Sequence, residues 1–158
     1  HLSLRRQRQM CIRDSPRSIL FVCGMNSIRS PMAEVLARSL LPGTVYIASA
    51  GVKDGQPDPF VDAILKQEGL PPVSAPPRRM EDMEDGFFDM IVTMSPEAHH
   101  YALDHTGGEA VTIEFWPMPD PSATTGSREQ ILDAYRDVFN RIEAKVRDLR
   151  ARGRASPA

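Results

Sequence analysis

One cysteine stands where its neighbours can change its chemistry. Cys23 ends a short apolar run and is followed by Gly24-Met25-Asn26-Ser27-Ile28-Arg29-Ser30-Pro31. A loop that leaves a buried strand and enters a helix exposes backbone N–H groups at the positive end of the helix dipole. Such a loop is a site for an anion. Arg29 adds a planar fork that can hold two oxygens of a phosphate at once. The same setting acts on the thiol. A free cysteine titrates near ~8.5 and falls to ~3.5–7.5 at a helix N-terminus beside a cation. Cys23 is therefore expected as a thiolate, with Ser30 donating to the sulfur. Asn26 tolerates the left-handed backbone that lets the loop curl. The chemistry is nucleophilic attack on a bound anion. The bland alternative is a small buried hydrophobe at a strand end.

The loop needs elements to hold it. Ser18-Ile19-Leu20-Phe21-Val22-Cys23 predicts a strand buried on both faces at the centre of a parallel sheet. Residues 30–41 carry Met32, Val35, Leu36 and Leu40 at helical spacing. Ser30 is the expected cap, Pro31 suits the first turn, and Pro42-Gly43 is the stop. Residues 44–50 predict a second strand ending at Gly51. A second helix is expected over 59–68, capped by Asp58. Residues 72–79 read as proline-rich loop and 80–85 as a short helix, whose Glu81, Asp82, Glu84 and Asp85 read as a solvated face. A third strand is expected over 89–94, a helix capped by Ser95 through His105, a fourth strand over 110–116, and a polar loop over 117–126. The last helix opens at Ser127, with Gln130 completing a capping box, and its apolar stripe runs to Leu149. Strands alternating with helices imply an α/β fold, a three-layer sandwich with a four-stranded parallel, doubly wound sheet flanked by helices.

The 158 residues suit one domain over 18–150. Residues 1–17 are basic and without periodicity, and are expected as a disordered tail extraneous to the fold; 151–158 are expected to fray. The basic start has no apolar core or cleavage site, so it does not read as a secretory signal. A formal net charge of −2 gives no field toward nucleic acid or an anionic membrane, and neither is expected as a partner. No apolar stretch approaches the ~20 residues of a membrane span. Cys11 and Cys23 are the only cysteines, too few for a disulfide framework, and no CxxC or HExxH suggests a metal. His99 and His100 are adjacent on a helix and point about 100° apart, so they read as surface rather than ligands. The cysteine usage fits a reducing cytoplasm, and the protein is expected as a monomer or weak dimer.

The run C-x5-R-S-P after an apolar strand resembles the signature of the low-molecular-weight protein tyrosine phosphatases and of arsenate reductases sharing their fold. Ser49-Ala50-Gly51 and Phe88-Asp89-Met90-Ile91 match the layout, and the likeness covers about residues 18–150. It implies hydrolysis of a phosphorylated protein or a small aryl phosphate through a cysteinyl-phosphate on Cys23, with no metal or cofactor. The backbone of Gly24, Met25, Asn26, Ser27, Ile28 and Arg29, with Ser30 at the end of the loop, is expected to bind the substrate phosphoryl group. The family takes its general acid from a late Asp-Pro pair. Asp58-Pro59 is better explained as a helix cap, so Asp120, ahead of Pro121, is the expected acid.

Three departures stand out. Ile28 occupies the place where the family commonly has a second cysteine. Met25 stands where a glycine is common. Ser122-Ala123-Thr124-Thr125 follow the acid where phosphotyrosine-active members place aromatics. Trp116 and Phe115 precede the acid, but strand aromatics are more often core. Arg78 and Arg79 could meet an anionic substrate, although surface solubility is the simpler account. The rival readings are an arsenate reductase served by an external thiol, such as glutathione or mycothiol, and a non-catalytic phosphate-binding regulatory module.

Overall fold

The computed structural model describes residues 16–83, 88–106 and 110–155. Cys11, Glu84, Asp85 and most of the expected basic tail lie outside them. Strands β1 (Ser18–Cys23), β2 (Tyr46–Gly51), β3 (Met90–Thr93) and β4 (Thr112–Phe115) alternate with helices α1 (Arg29–Leu40), α2 (Pro59–Gln67), α3 (Pro96–His105) and α4 (Arg128–Ala155). The strands form one parallel sheet in the order β2-β1-β3-β4. This is the expected α/β sandwich.

β1 reads as a continuous apolar run because each face meets a different layer. Ile19, Phe21 and Cys23 pack with α1, α2 and α4. Leu20 and Val22 face Ala98 and Ala102 of α3. Alternate residues of a strand point to opposite faces, so neither face of β1 can be polar. From β1 the chain runs outward first to β2 and later to β3. The loop after β1 therefore sits at the switch point of the sheet, where α/β folds place their ligands.

Three caps form as the sequence predicts. Asp58 accepts from the Phe60 amide at 2.9 Å, and Ser95 from the Ala98 amide at 3.2 Å. Ser127 and Gln130 bond reciprocally at 2.8 and 3.2 Å. The expected Ser30 cap does not form. α1 starts one residue earlier, at Arg29, and Ile28 holds the cap position without a side-chain cap bond. The expected helix at 80–85 shrinks to a single 3-10 turn, Met80–Asp82, among the described residues. α4 continues past the expected fray point at 151, through Ala155. Arg152 reaches back from it to Glu114 of β4 at 2.8 Å. Burial pushes the Glu114 carboxyl up, but hydrogen bonds from Arg152 and Trp116 and the charge of Arg152 carry it below its ordinary range. None of the helices among the described residues is long and apolar enough to cross a membrane.

Candidate active site

The loop after β1 turns on Asn26, which has φ of 55° and is almost wholly buried. Its side chain is staked to three segments. Nδ2 donates to Ser30 Oγ at 2.9 Å and to Ser49 Oγ at 3.0 Å, and Oδ1 accepts from the Arg78 amide at 3.0 Å. Ser49 in turn donates to the buried Glu34 carboxylate at 2.6 Å, and Arg38 pairs with Glu34 at 3.0 Å. The left-handed turn is thus over-determined by polar contacts, which is how such a conformation persists.

The chain after β2 lies against this loop. The amides of Val52 and Lys53 donate to the Gly24 carbonyl at 2.8 and 2.9 Å. A Cβ on Gly51 would come within 2.7 Å of the Asn26 nitrogen, and one on Gly55 would collide with the Met25 carbonyl and Ser27 Oγ. Both positions need glycine for close approach. Lys53 pairs with Glu97 at 3.1 Å and Arg79 with Asp54 at 3.3 Å, so this covering segment is clasped on two sides.

Cys23 is 2% exposed, with Sγ 2.9 Å from Ser30 Oγ. Ser30 Oγ also lies 3.2 Å from the Ala50 carbonyl. A hydroxyl has one proton. It can donate to the sulfur or to the Ala50 carbonyl, but not to both at once. This contact explains why Ser30 is no cap: its hydroxyl faces the sulfur from inside the first turn.

Arg29 Nη1 donates to the carbonyls of Met118 at 3.1 Å and Met94 at 3.5 Å. One end of the fork is therefore fixed to protein, and Nη2 lies on the Gly24 side of the loop. A row of main-chain bonds crosses the sheet here. Met94 N donates to Val22 O at 2.9 Å and Met118 N to Met94 O at 3.2 Å. The row brings the chain beyond β4 to the same edge as Cys23.

Asp120 follows on that chain and is exposed. Its Oδ1 accepts from the Ser122 amide at 3.0 Å and from Ser122 Oγ at 2.7 Å. The 121–123 turn packs on α4. There the Tyr135 hydroxyl donates to Asp58 Oδ2 at 2.7 Å. Tyr135 is held above its ordinary range, first by burial, then by the bond and charge of Asp58, then by the charge of Asp120.

The remaining candidates separate cleanly. Trp116 is core, packed on Phe21 with its Nε1 donating to Glu114 at 2.9 Å. Phe115 departs from the expected core position and stacks on His99 at the surface. His99 contacts Thr93 Oγ1 at 2.8 Å, and His100 is exposed. Among the described residues, no three His, Cys, Asp or Glu side chains group to hold a metal ion. Sequence reasoning missed Lys53, Glu97 and the role of Arg78. Arg78 is no surface cation: its amide holds Asn26 and its Nε donates to Ser49 O at 3.0 Å. No local signal marked it.

The sequence pattern described as the low molecular weight phosphotyrosine protein phosphatase family matches residues 18–155. The chain belongs to that family. Among its relatives, the glutaredoxin arsenate reductase of Synechocystis is 24% identical over 136 residues, covering 86% of this chain and 98% of that protein. The low molecular weight protein-tyrosine-phosphatase YfkJ of Bacillus subtilis is 34% identical over 89 residues, 51% of this chain and 57% of that protein. Among solved structures, an arsenate reductase from Archaeoglobus fulgidus superposes with a TM-score of 0.66 at 26% identity, covering 84% of this chain and 98% of that one. The low molecular weight protein tyrosine phosphatase of Streptococcus pyogenes has a TM-score of 0.72 at 20% identity, covering 86% and 92%, which speaks for the fold alone. This phosphatase family thus includes both hydrolases and reductases in its near neighbourhood.

Proposed function

We propose that the protein hydrolyses phosphate monoesters, with a phosphorylated protein or small aryl phosphate as substrate. The observation that carries this reading is the grip of Arg29 on Met118 O, which ties the loop holding Cys23 to the segment bearing Asp120. The Cys23 sulfur attacks phosphorus in line, the S–P bond forms, and the P–O ester bond breaks. Asp120 gives its proton to the departing oxygen. The loop amides and the free end of the Arg29 fork hold the equatorial oxygens. Water then attacks phosphorus, giving its proton to Asp120 as the S–P bond breaks. Cys23 is regenerated and inorganic phosphate leaves.

The test is hydrolysis of 4-nitrophenyl phosphate. Cys23→Ser should abolish turnover, and Asp120→Ala should lower kcat by about 10²–10⁴-fold. Equal rates for the parent protein and Cys23→Ser would overturn the reading.

A second reading has support from the Synechocystis arsenate reductase, which aligns over nearly its whole length. In it, Cys23 attacks arsenate and an external thiol then reduces the adduct, giving arsenite and a mixed disulfide. The chain carries no cysteine besides Cys11 and Cys23, so the second thiol comes from outside the 18–155 region. Arsenite production with glutathione or mycothiol decides for it; no arsenite with any donor removes it.

A further inference from the structure

We propose that Ser122 is a positioning residue for the general acid, fixing which oxygen of Asp120 carries the proton. The inference rests on the phosphatase reading and deepens it. Both donors of Ser122, its amide at 3.0 Å and its hydroxyl at 2.7 Å, converge on Asp120 Oδ1. A protonated carboxyl has one carbonyl oxygen and one hydroxyl oxygen, and the carbonyl oxygen is the better acceptor. Two donors on Oδ1 therefore make it the carbonyl oxygen and put the proton on Oδ2. The turn that presents them is stiff. Pro121 fixes its own φ, and the Thr124 amide closes on the Pro121 carbonyl at 3.1 Å. One side of the turn rests on α4, and Arg29 holds Met118 just ahead of it. Asp120 is otherwise exposed, so without the hydroxyl its carboxyl turns more freely and either oxygen can carry the proton.

The role has a kinetic signature that simple loss of stability lacks. A poor leaving group needs the proton more than a good one does. The test compares kcat/KM for phenyl phosphate and 4-nitrophenyl phosphate in the parent protein, Ser122→Ala, Ser122→Thr and Cys23→Ser. Ser122→Ala should lose about tenfold on phenyl phosphate, the effect of roughly one positioned hydrogen bond, and much less on 4-nitrophenyl phosphate. Ser122→Thr, which keeps the hydroxyl, should restore the phenyl phosphate rate. Equal losses on both substrates, no loss on either, or no recovery in Ser122→Thr would each overturn the inference while leaving the hydrolase reading intact. Absence of Cys23-dependent turnover in the parent protein would overturn that reading and this inference with it.

Discussion

Arg29 Nη1 donates to the Met118 carbonyl across 3.1 Å, although the two residues are 89 positions apart in the chain. The guanidinium at the end of the 23–29 loop also holds the chain two residues ahead of Asp120. A lysine would keep the charge but not the planar fork, and so could not hold Met118 and a phosphoryl group together. Arg29→Lys should therefore lower kcat/KM for 4-nitrophenyl phosphate by about 10²–10³-fold, the scale for losing a preorganised oxyanion donor. A loss under threefold would show that charge alone suffices.

Asn26 is strained in backbone and satisfied in side chain. Asn26→Ala keeps the unfavourable φ and removes the bonds to Ser30, Ser49 and Arg78. Asn26→Gly removes the same bonds but relieves the backbone. Urea unfolding should give a loss of about 3 kcal/mol for the alanine variant and about 1 kcal/mol less for the glycine variant. The reverse order would mean that the left-handed turn relaxes on substitution.

Gly55 separates loop shape from global stability. A methyl group there meets the Met25 carbonyl and Ser27 Oγ, whereas one on Gly43 meets nothing within 4 Å. Under the phosphatase reading, Gly55→Ala should raise the inhibition constant for inorganic phosphate about tenfold, because the loop amides proposed to hold the anion would be displaced. Gly43→Ala should leave it unchanged. Equal constants in both variants would place the anion away from the 24–29 loop.

The Tyr135 hydroxyl supplies a pH dependence of known sign. Burial and the charges of Asp58 and Asp120 raise its folded-state pKa, while an unfolded tyrosine titrates near ~10. The stabilisation is complete below ~10 and is lost as pH rises from there toward the folded value. Tyr135→Phe keeps the ring against Phe60, 5.3 Å away, but gives up the Asp58 bond. Near neutrality it should be less stable by about 1 kcal/mol, and the difference should shrink above pH ~10. A gap that stays constant between pH 8 and 11 would contradict this.

What could be read in the sequence was what is local in it. Cys23, Asn26 and Arg29 fall within seven consecutive residues, so their spacing alone gave the loop its form. Asp58 and Ser95 were legible as caps because each bonds an amide two or three residues on. Ser30 looks like one more cap by the same local rule. It is not one, because Cys23 and the carbonyl of Ala50, 20 residues away, compete for its hydroxyl. Arg78 was read as solvent-facing because its partners, Asn26 and Ser49, lie 52 and 29 residues off. The end of α4 was read as frayed because Arg152 finds Glu114 only across 38 residues. Ser122 was read as a gap in an aromatic wall, since nothing in a sequence shows that two donors meet on one oxygen.

The row of main-chain bonds from Val22 through Met94 to Met118 has a metric consequence. It sets the separation of Val22 and Met118, one residue from Cys23 and two from Asp120, by strand width. Adjacent strands lie ~4.8 Å apart, so two steps across the sheet span roughly 10 Å. Because backbone sets this spacing, the side chains of Met94 and Met118 can be exchanged for others of similar bulk without changing it. The residues that follow Met118 can then vary on a fixed backbone spacing.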